Sequence, residues 1–233
     1  MRRSWLLVVA IMVVGARPGL AASPAATGPS PRVVVVPGFL GGDALYRVMR
    51  RGLAQRGFTA RASGIRFNAG RLRPKIDRVK AAVIAEHEAS GGPVQLAGHS
   101  LGGSIAAIAA HELLRERPEV FEGLGARPVV ATLAAPLDMA HRRDGASRIL
   151  NWLAPKLIPD FGSVGERGLL ALDRDRTVPI AAGYGLHDRL VFRRGATLPW
   201  AGSFVIQRGG HLRMLFRADA LAAALAAPVS RQP

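Results

Sequence analysis

Pro93-Val94-Gln95-Leu96-Ala97-Gly98-His99-Ser100-Leu101-Gly102-Gly103-Ser104-Ile105 joins two apolar runs through a serine set between glycines. The first run, 93–97, enters through Gly91-Gly92 and reads as a short buried strand. The second, Leu101 to Arg115, carries Ile105, Ile108, Leu113 and Leu114 among alanines and stops at Arg117-Pro118, so it reads as a buried helix. Glycines on both sides allow a very tight turn between strand and helix, with a strained central residue whose hydroxyl is pushed outward. Ser100 is therefore the candidate nucleophile.

Working outward from that turn, the pattern alternates. Upstream, Val33 to Val36 is a continuous β-branched run of the kind covered on both faces, and it empties into Pro37-Gly38-Phe39-Leu40-Gly41-Gly42. A glycine-rich turn at the end of a core strand can leave N–H groups free for a developing oxyanion, whereas the Walker lysine and Gly-x-Gly-x-x-Gly of a nucleotide loop are absent. Asp43 is expected to cap a helix presenting Leu45, Val48, Met49 and Leu53, with Gly57 ending it and a strand following near 58–62. Arg73-Pro74 opens another helix, with Ile76, Val79, Val83 and Ile84 on one face and a surface His87 near its end. Downstream, strands are expected at 128–134, 178–183 and 204–206, and a closing helix at 218–226. Alternating strands and helices predict an α/β fold with a mostly parallel central sheet and helices on both faces.

Composition bounds the rest. With 233 residues, 49% of them apolar, the chain has material for one well-cored domain. The absence of cysteine excludes disulfides, thiol chemistry and cysteine-ligated zinc. The net charge of +16 comes from scattered arginines without stacking aromatics, which argues against nucleic acid and leaves adhesion to acidic surfaces open. Met1-Arg2-Arg3 and the apolar run from Trp5 to Ala16 read as an export signal over 1–22, with an uncleaved N-terminal anchor as the alternative. Export would be periplasmic or secreted. Residues 23–31 then form a flexible linker and 32–233 the domain. Within it, 137–168 mixes Arg142, Arg143, Arg148 and Lys156 with Ile149, Leu150, Trp152, Leu153, Leu157, Ile158 and Phe161. It reads as a small lid-like or membrane-contacting insertion, or as an ordinary packing helix.

A serine hydroxyl needs a base within hydrogen-bond reach, and the base needs a carboxylate to hold its tautomer. Ser100, Asp188 and His211 occur in that order, acid and histidine each following an expected strand. Backbone N–H groups of Phe39 and Leu101 are the candidate oxyanion donors. Asp175, in a turn-like Asp-Arg-Asp-Arg sequence, is the second choice of acid and Asp138 the third. His99 reads as a packing residue, and His187 has no evident role.

From Arg32 onward the chain resembles the α/β-hydrolase superfamily, and more narrowly its bacterial lipase and esterase-like members. The resemblance rests on 36–42, Asn68-Ala69-Gly70, 98–103, Thr132-Leu133-Ala134-Ala135-Pro136, 185–191 and Gly209-Gly210-His211-Leu212. Pro37 stands where the family often has histidine. The resemblance implies a serine hydrolase of carboxylic esters, working through an acyl-enzyme on Ser100 without metal or organic cofactor. Its partner would be a small-molecule or lipid ester. An acyltransferase with the same acyl-enzyme, and a non-catalytic binding module on the scaffold, are the alternatives.

Overall fold

The computed structural model describes residues 30–229 except 142, 143 and 208. The expected export signal, nearly all of the expected linker, and Arg142 and Arg143 lie outside the described residues. Six strands, β1 (Arg32–Val36), β2 (Thr59–Ala62), β3 (Val94–His99), β4 (Val130–Leu133), β5 (Ile180–Gly185) and β6 (Gly202–Ile206), form one sheet in the order β2-β1-β3-β4-β5-β6. Every neighbouring pair is parallel. Among the described residues no helix is long and apolar enough to cross a membrane.

The four valines of β1 show why the sheet is buried on both sides. Successive strand side chains point to opposite faces, so Val34 and Val36 join one core while Val33 and Val35 join the other. The first core packs under α2 (Arg73–Ser90), α3 (Leu101–Glu116) and α5 (Arg167–Asp175) through Ile76, Val79, Ile105, Ile108 and Leu169. The second packs under α1 (Arg47–Ala54) and α7 (Ala218–Ala226) through Met49, Leu53, Leu221 and Leu225. Asp43 does not cap α1 as expected: the helix starts four residues later without a side-chain cap, and the Asp43 carboxylate instead accepts the Ser63 N–H and hydroxyl. The preceding turn also throws Leu45 and Val48 outward, leaving Met49 and Leu53 as the buried face.

The segment 137–168 contains α4 (Arg148–Leu157), a π-helical turn (Phe161–Glu166) and an exposed Trp152 with the Lys156 ammonium 3.6 Å above its ring centre. Beyond it come a single helical turn, α6 (Arg193–Ala196), and a 3₁₀ turn at His211–Phe216.

Strand order reverses between β1 and β3, because β1 leads outward to β2 while β3 leads the other way to β4. In open parallel sheets that reversal opens a crevice beyond the carboxyl ends of the two strands. Loops 37–42 and 98–103 meet there.

Candidate active site

Ser100 sits at the end of β3 with φ +53° and ψ −132°, a left-handed conformation that L-residues rarely adopt. Its N–H is tied to the Leu133 carbonyl across the sheet at 2.8 Å, which helps hold the strained turn in place. Close approach explains the glycines. A Cβ on Gly98 would lie 2.5 Å from Gly103 Cα, and one on Gly102 would lie 2.3 Å from the Val36 carbonyl oxygen. Helix and strand can touch only because both positions lack side chains. Leu40 and Ala134, also at positive φ, follow β1 and β4, so backbone strain gathers along this one edge of the sheet.

His211 and Asp188 reach the same edge from the loops after β6 and β5. His211 Nδ1 donates to Asp188 Oδ2 at 2.8 Å, while Asp188 Oδ1 accepts the N–H groups of Leu190 and Val191 at 2.8 and 3.0 Å. A fully enclosed carboxylate is thus aimed at the ring by its own backbone. Asp175 lies elsewhere. It ends α5, at the far edge of the sheet, and accepts from His111 Nε2 at 2.8 Å. That contact and Arg174 hold its carboxyl below the usual range. Asp138, the third candidate, accepts from His141 Nδ1 at 2.8 Å. His187 is exposed.

The sequence reading gave His99 no more than packing, and the structure gives it a further part. Its ring lies 4.8 Å from the His211 ring, Tyr46 Oη donates to its Nδ1 at 2.6 Å, and its Nε2–H donates to the His211 carbonyl at 3.0 Å. Since a carbonyl can only accept, Nε2 carries a proton; burial keeps the ring neutral, which leaves Nδ1 to accept from the Tyr46 hydroxyl. Burial, with the neighbouring His211, pushes its pKa down to about 3. Burial likewise pushes the Tyr46 phenol up. A neutral pair thereby connects the start of α1, the Ser100 turn and the His211 backbone.

Phe39 and Leu101 stand beside Ser100 in the wall of one cleft, and neither N–H finds an acceptor among the described residues. The Phe39 loop is braced by Asn68, whose Nδ2 donates to the Pro37 carbonyl at 2.6 Å and whose backbone exchanges bonds with Leu40 and Gly41. The sequence marks Asn68 only as part of the Asn68-Ala69-Gly70 likeness, since no local pattern reports a contact thirty-one residues away. The cleft is narrow, with a cavity of about 50 Å³, and Met139, Ile158 and Phe161 make it largely apolar. Ser100 Oγ makes no hydrogen bond to a described residue. No cluster of three or more histidine and carboxylate side chains suited to a metal occurs among the described residues.

A family model described as Thioesterase domain matches residues 31–126, somewhat less than half of the chain. Among solved structures, the mature lipase BlEst2 of Bacillus licheniformis superposes with TM-score 0.59 at 17% identity, over 85% of this chain and 90% of that one. A thioesterase domain from the curacin biosynthetic pathway gives 0.54 at 16%, over 89% and 93%. The monoacylglycerol lipase of Paleococcus ferrophilus gives 0.53 at 14%, over 84% and 95%. No curated protein sequence matches. The all-parallel sheet, its strand order and these likenesses define the α/β-hydrolase fold.

Proposed function

We propose that the chain is a serine hydrolase of carboxylic esters or thioesters. The observation that carries this reading is the Asp188–His211 pair, tied through His99 to the strand end that bears the strained Ser100 at the strand-order reversal. The match to a thioesterase-domain model over the Ser100 half of the chain supports it and widens the leaving group from alcohol to thiol.

With Nδ1 given to Asp188, His211 Nε2 is the nitrogen left to take the Ser100 proton as Oγ attacks the carbonyl carbon. This step requires a Ser100–His211 hydrogen bond in the reacting complex, and such bonds commonly tighten only once substrate is bound. The tetrahedral oxyanion would meet the unengaged N–H groups of Phe39 and Leu101, each worth about 3 kcal/mol in comparable sites. Collapse expels the alcohol or thiol with the proton from His211. Water then attacks the acyl-Ser100 carbonyl, giving its proton to His211; the acyl–Oγ bond breaks as His211 returns that proton to Ser100 Oγ, and the acid leaves. The acyl chain would lie along the apolar wall of Met139, Ile158 and Phe161.

The test is labelling by a fluorophosphonate together with turnover of p-nitrophenyl esters and acyl thioesters. Ser100→Ala should abolish labelling, and His211→Ala should cut kcat by about a thousandfold or more. Asp188→Asn, which presents the wrong tautomer to His211, should cost on the order of 10⁴. Asp175→Asn should remain active. A folded but inactive Asp175→Asn beside an active Asp188→Asn would overturn the assignment of the acid.

A further inference from the structure

Asp138 and His141 form a further carboxylate–imidazole pair, and it stands in the wall shared by two cavities. One is the narrow cleft at Ser100; the other, of about 650 Å³, is open and lined by Phe192, Arg193, Arg194 and Thr197 as well. Resting on the serine-hydrolase reading, we infer that this outer cleft binds an oxyanion, a phosphate or carboxylate, carried by the leaving group of the substrate.

The charges in the cleft decide its sign. Asp138 is spent: Oδ1 accepts the N–H groups of Ala140 and His141, and Oδ2 accepts His141 Nδ1–H. It therefore offers little to a ligand cation. Arg194 is paired with Asp144 at 2.6 Å. Arg193 has no ion pair among the described residues, and its guanidinium lies over the Tyr184 ring, 5.2 Å from the ring centre. A guanidinium on an aromatic face keeps its edge N–H groups free, and that planar edge matches the oxygens of a phosphate or carboxylate. His141, whose Nδ1–H goes to Asp138, is left with a lone pair on Nε2 that makes no hydrogen bond to a described residue; it can accept a hydroxyl of the leaving group, with Asp138 fixing the ring from behind, while Arg193 supplies the donors to the anion itself.

Adjacency supplies the rest. An ester held with its acyl chain in the inner cleft and its carbonyl at Ser100 must send its other arm outward, and His141 lines the passage on both sides. The pairing of His141 with Asp138 is thus a positioning device for substrate, distinct from the His211–Asp188 pair that is assigned the proton.

The test compares 1-butanoylglycerol, 1-butanoylglycerol 3-phosphate and the butanoyl ester of glyceric acid in the wild-type chain and in Arg193→Glu. The wild type should hydrolyse at least one anionic ester with kcat/KM tenfold or more above the neutral one, mainly through KM, and the better anion identifies phosphate or carboxylate. In Arg193→Glu that ratio should fall at least tenfold; because it is a ratio within one preparation, partial loss of folded protein cancels. Inorganic phosphate should bind the wild type in titration calorimetry at millimolar concentration and bind Arg193→Glu at least tenfold more weakly. Equal turnover of the three esters within twofold, or a preference that survives Arg193→Glu, overturns the inference. Fluorophosphonate labelling of the same wild-type preparation, with Ser100→Ala as its blank, reads the serine assignment separately.

Discussion

At the level of single residues, the buried neutral His99 makes a pH prediction with a definite sign. Its folded-state pKa is depressed to about 3 against 6.5 for an open imidazole, so between these values the unfolded chain holds the extra proton. Its contribution to stability is complete above pH 6.5 and is lost as pH falls toward 3, at up to about 1.4 kcal/mol per pH unit. His99→Gln keeps an acceptor for Tyr46 and a donor for the His211 carbonyl while removing the proton. Urea unfolding from pH 7 to pH 4 should therefore show a shallower loss of stability in the variant; equal slopes would mean that His99 titrates in the folded protein much as it does when unfolded. His99→Phe, which can make neither bond, should release the His211 loop and lower kcat more than it raises KM.

At the level of elements, two junctions hold the crevice open to its chemistry. Between α3 and β1 the clearance is set by Gly102, where any Cβ meets the backbone oxygens of Val36 and Pro37 at 2.3 and 2.5 Å. Neither oxygen can rotate away, so Gly102→Ala should cost about 3 kcal/mol of stability by denaturant unfolding and move the Phe39 loop, raising KM as well. The second junction is the N-terminus of α2. Asp160, just before the π-helical turn, accepts the Leu72 N–H at 2.7 Å and the Arg73 N–H at 3.1 Å, capping a helix that has no cap from its own N-cap residue. Asp160→Ala should lower stability by about 1–2 kcal/mol in thermal or urea unfolding. It should also loosen Ile158 and Phe161 in the cleft wall, so KM for long acyl chains should rise more than for short ones.

At the level of the whole molecule, most of the layout was legible in the sequence because its evidence is local. The valines of β1, the Gly98-to-Gly102 turn and the alanine-rich α3 and α7 each declare themselves within a few residues. The choice of Asp188 for His211 was argued from strand order, but the duties of Tyr46, Asn68 and Asp138 were not readable, since each depends on a partner that only the sheet brings near. Charge is legible in amount and not in arrangement. The sequence counts 32 basic against 16 acidic side chains; the structure gathers Arg73, Lys80, Asp77, Glu112 and Glu116 into contacts of 2.6–3.0 Å across α2 and α3. Burial pulls the Glu112 carboxyl up, but Arg73 and Lys80 outweigh it and hold the group below its usual range. Salt acts on these two populations differently. Close pairs lie well inside a Debye length even at about 0.15 M, where it is roughly 8 Å, whereas repulsion among the sixteen excess cations spans distances that such salt cuts off. Raising sodium chloride from about 10 to 150 mM should therefore raise Tm, by roughly 2–4 °C for each 1 kcal/mol of repulsion relieved. Glu112→Gln, which leaves Arg73 only Asp77 and Lys80 only Glu116 as ion-pair partners among these five, should lower Tm at 10 mM and gain more than the wild type from added salt. A Tm that falls with salt in the wild type would mean that the α2–α3 pairs, rather than the excess positive charge, govern its electrostatic stability.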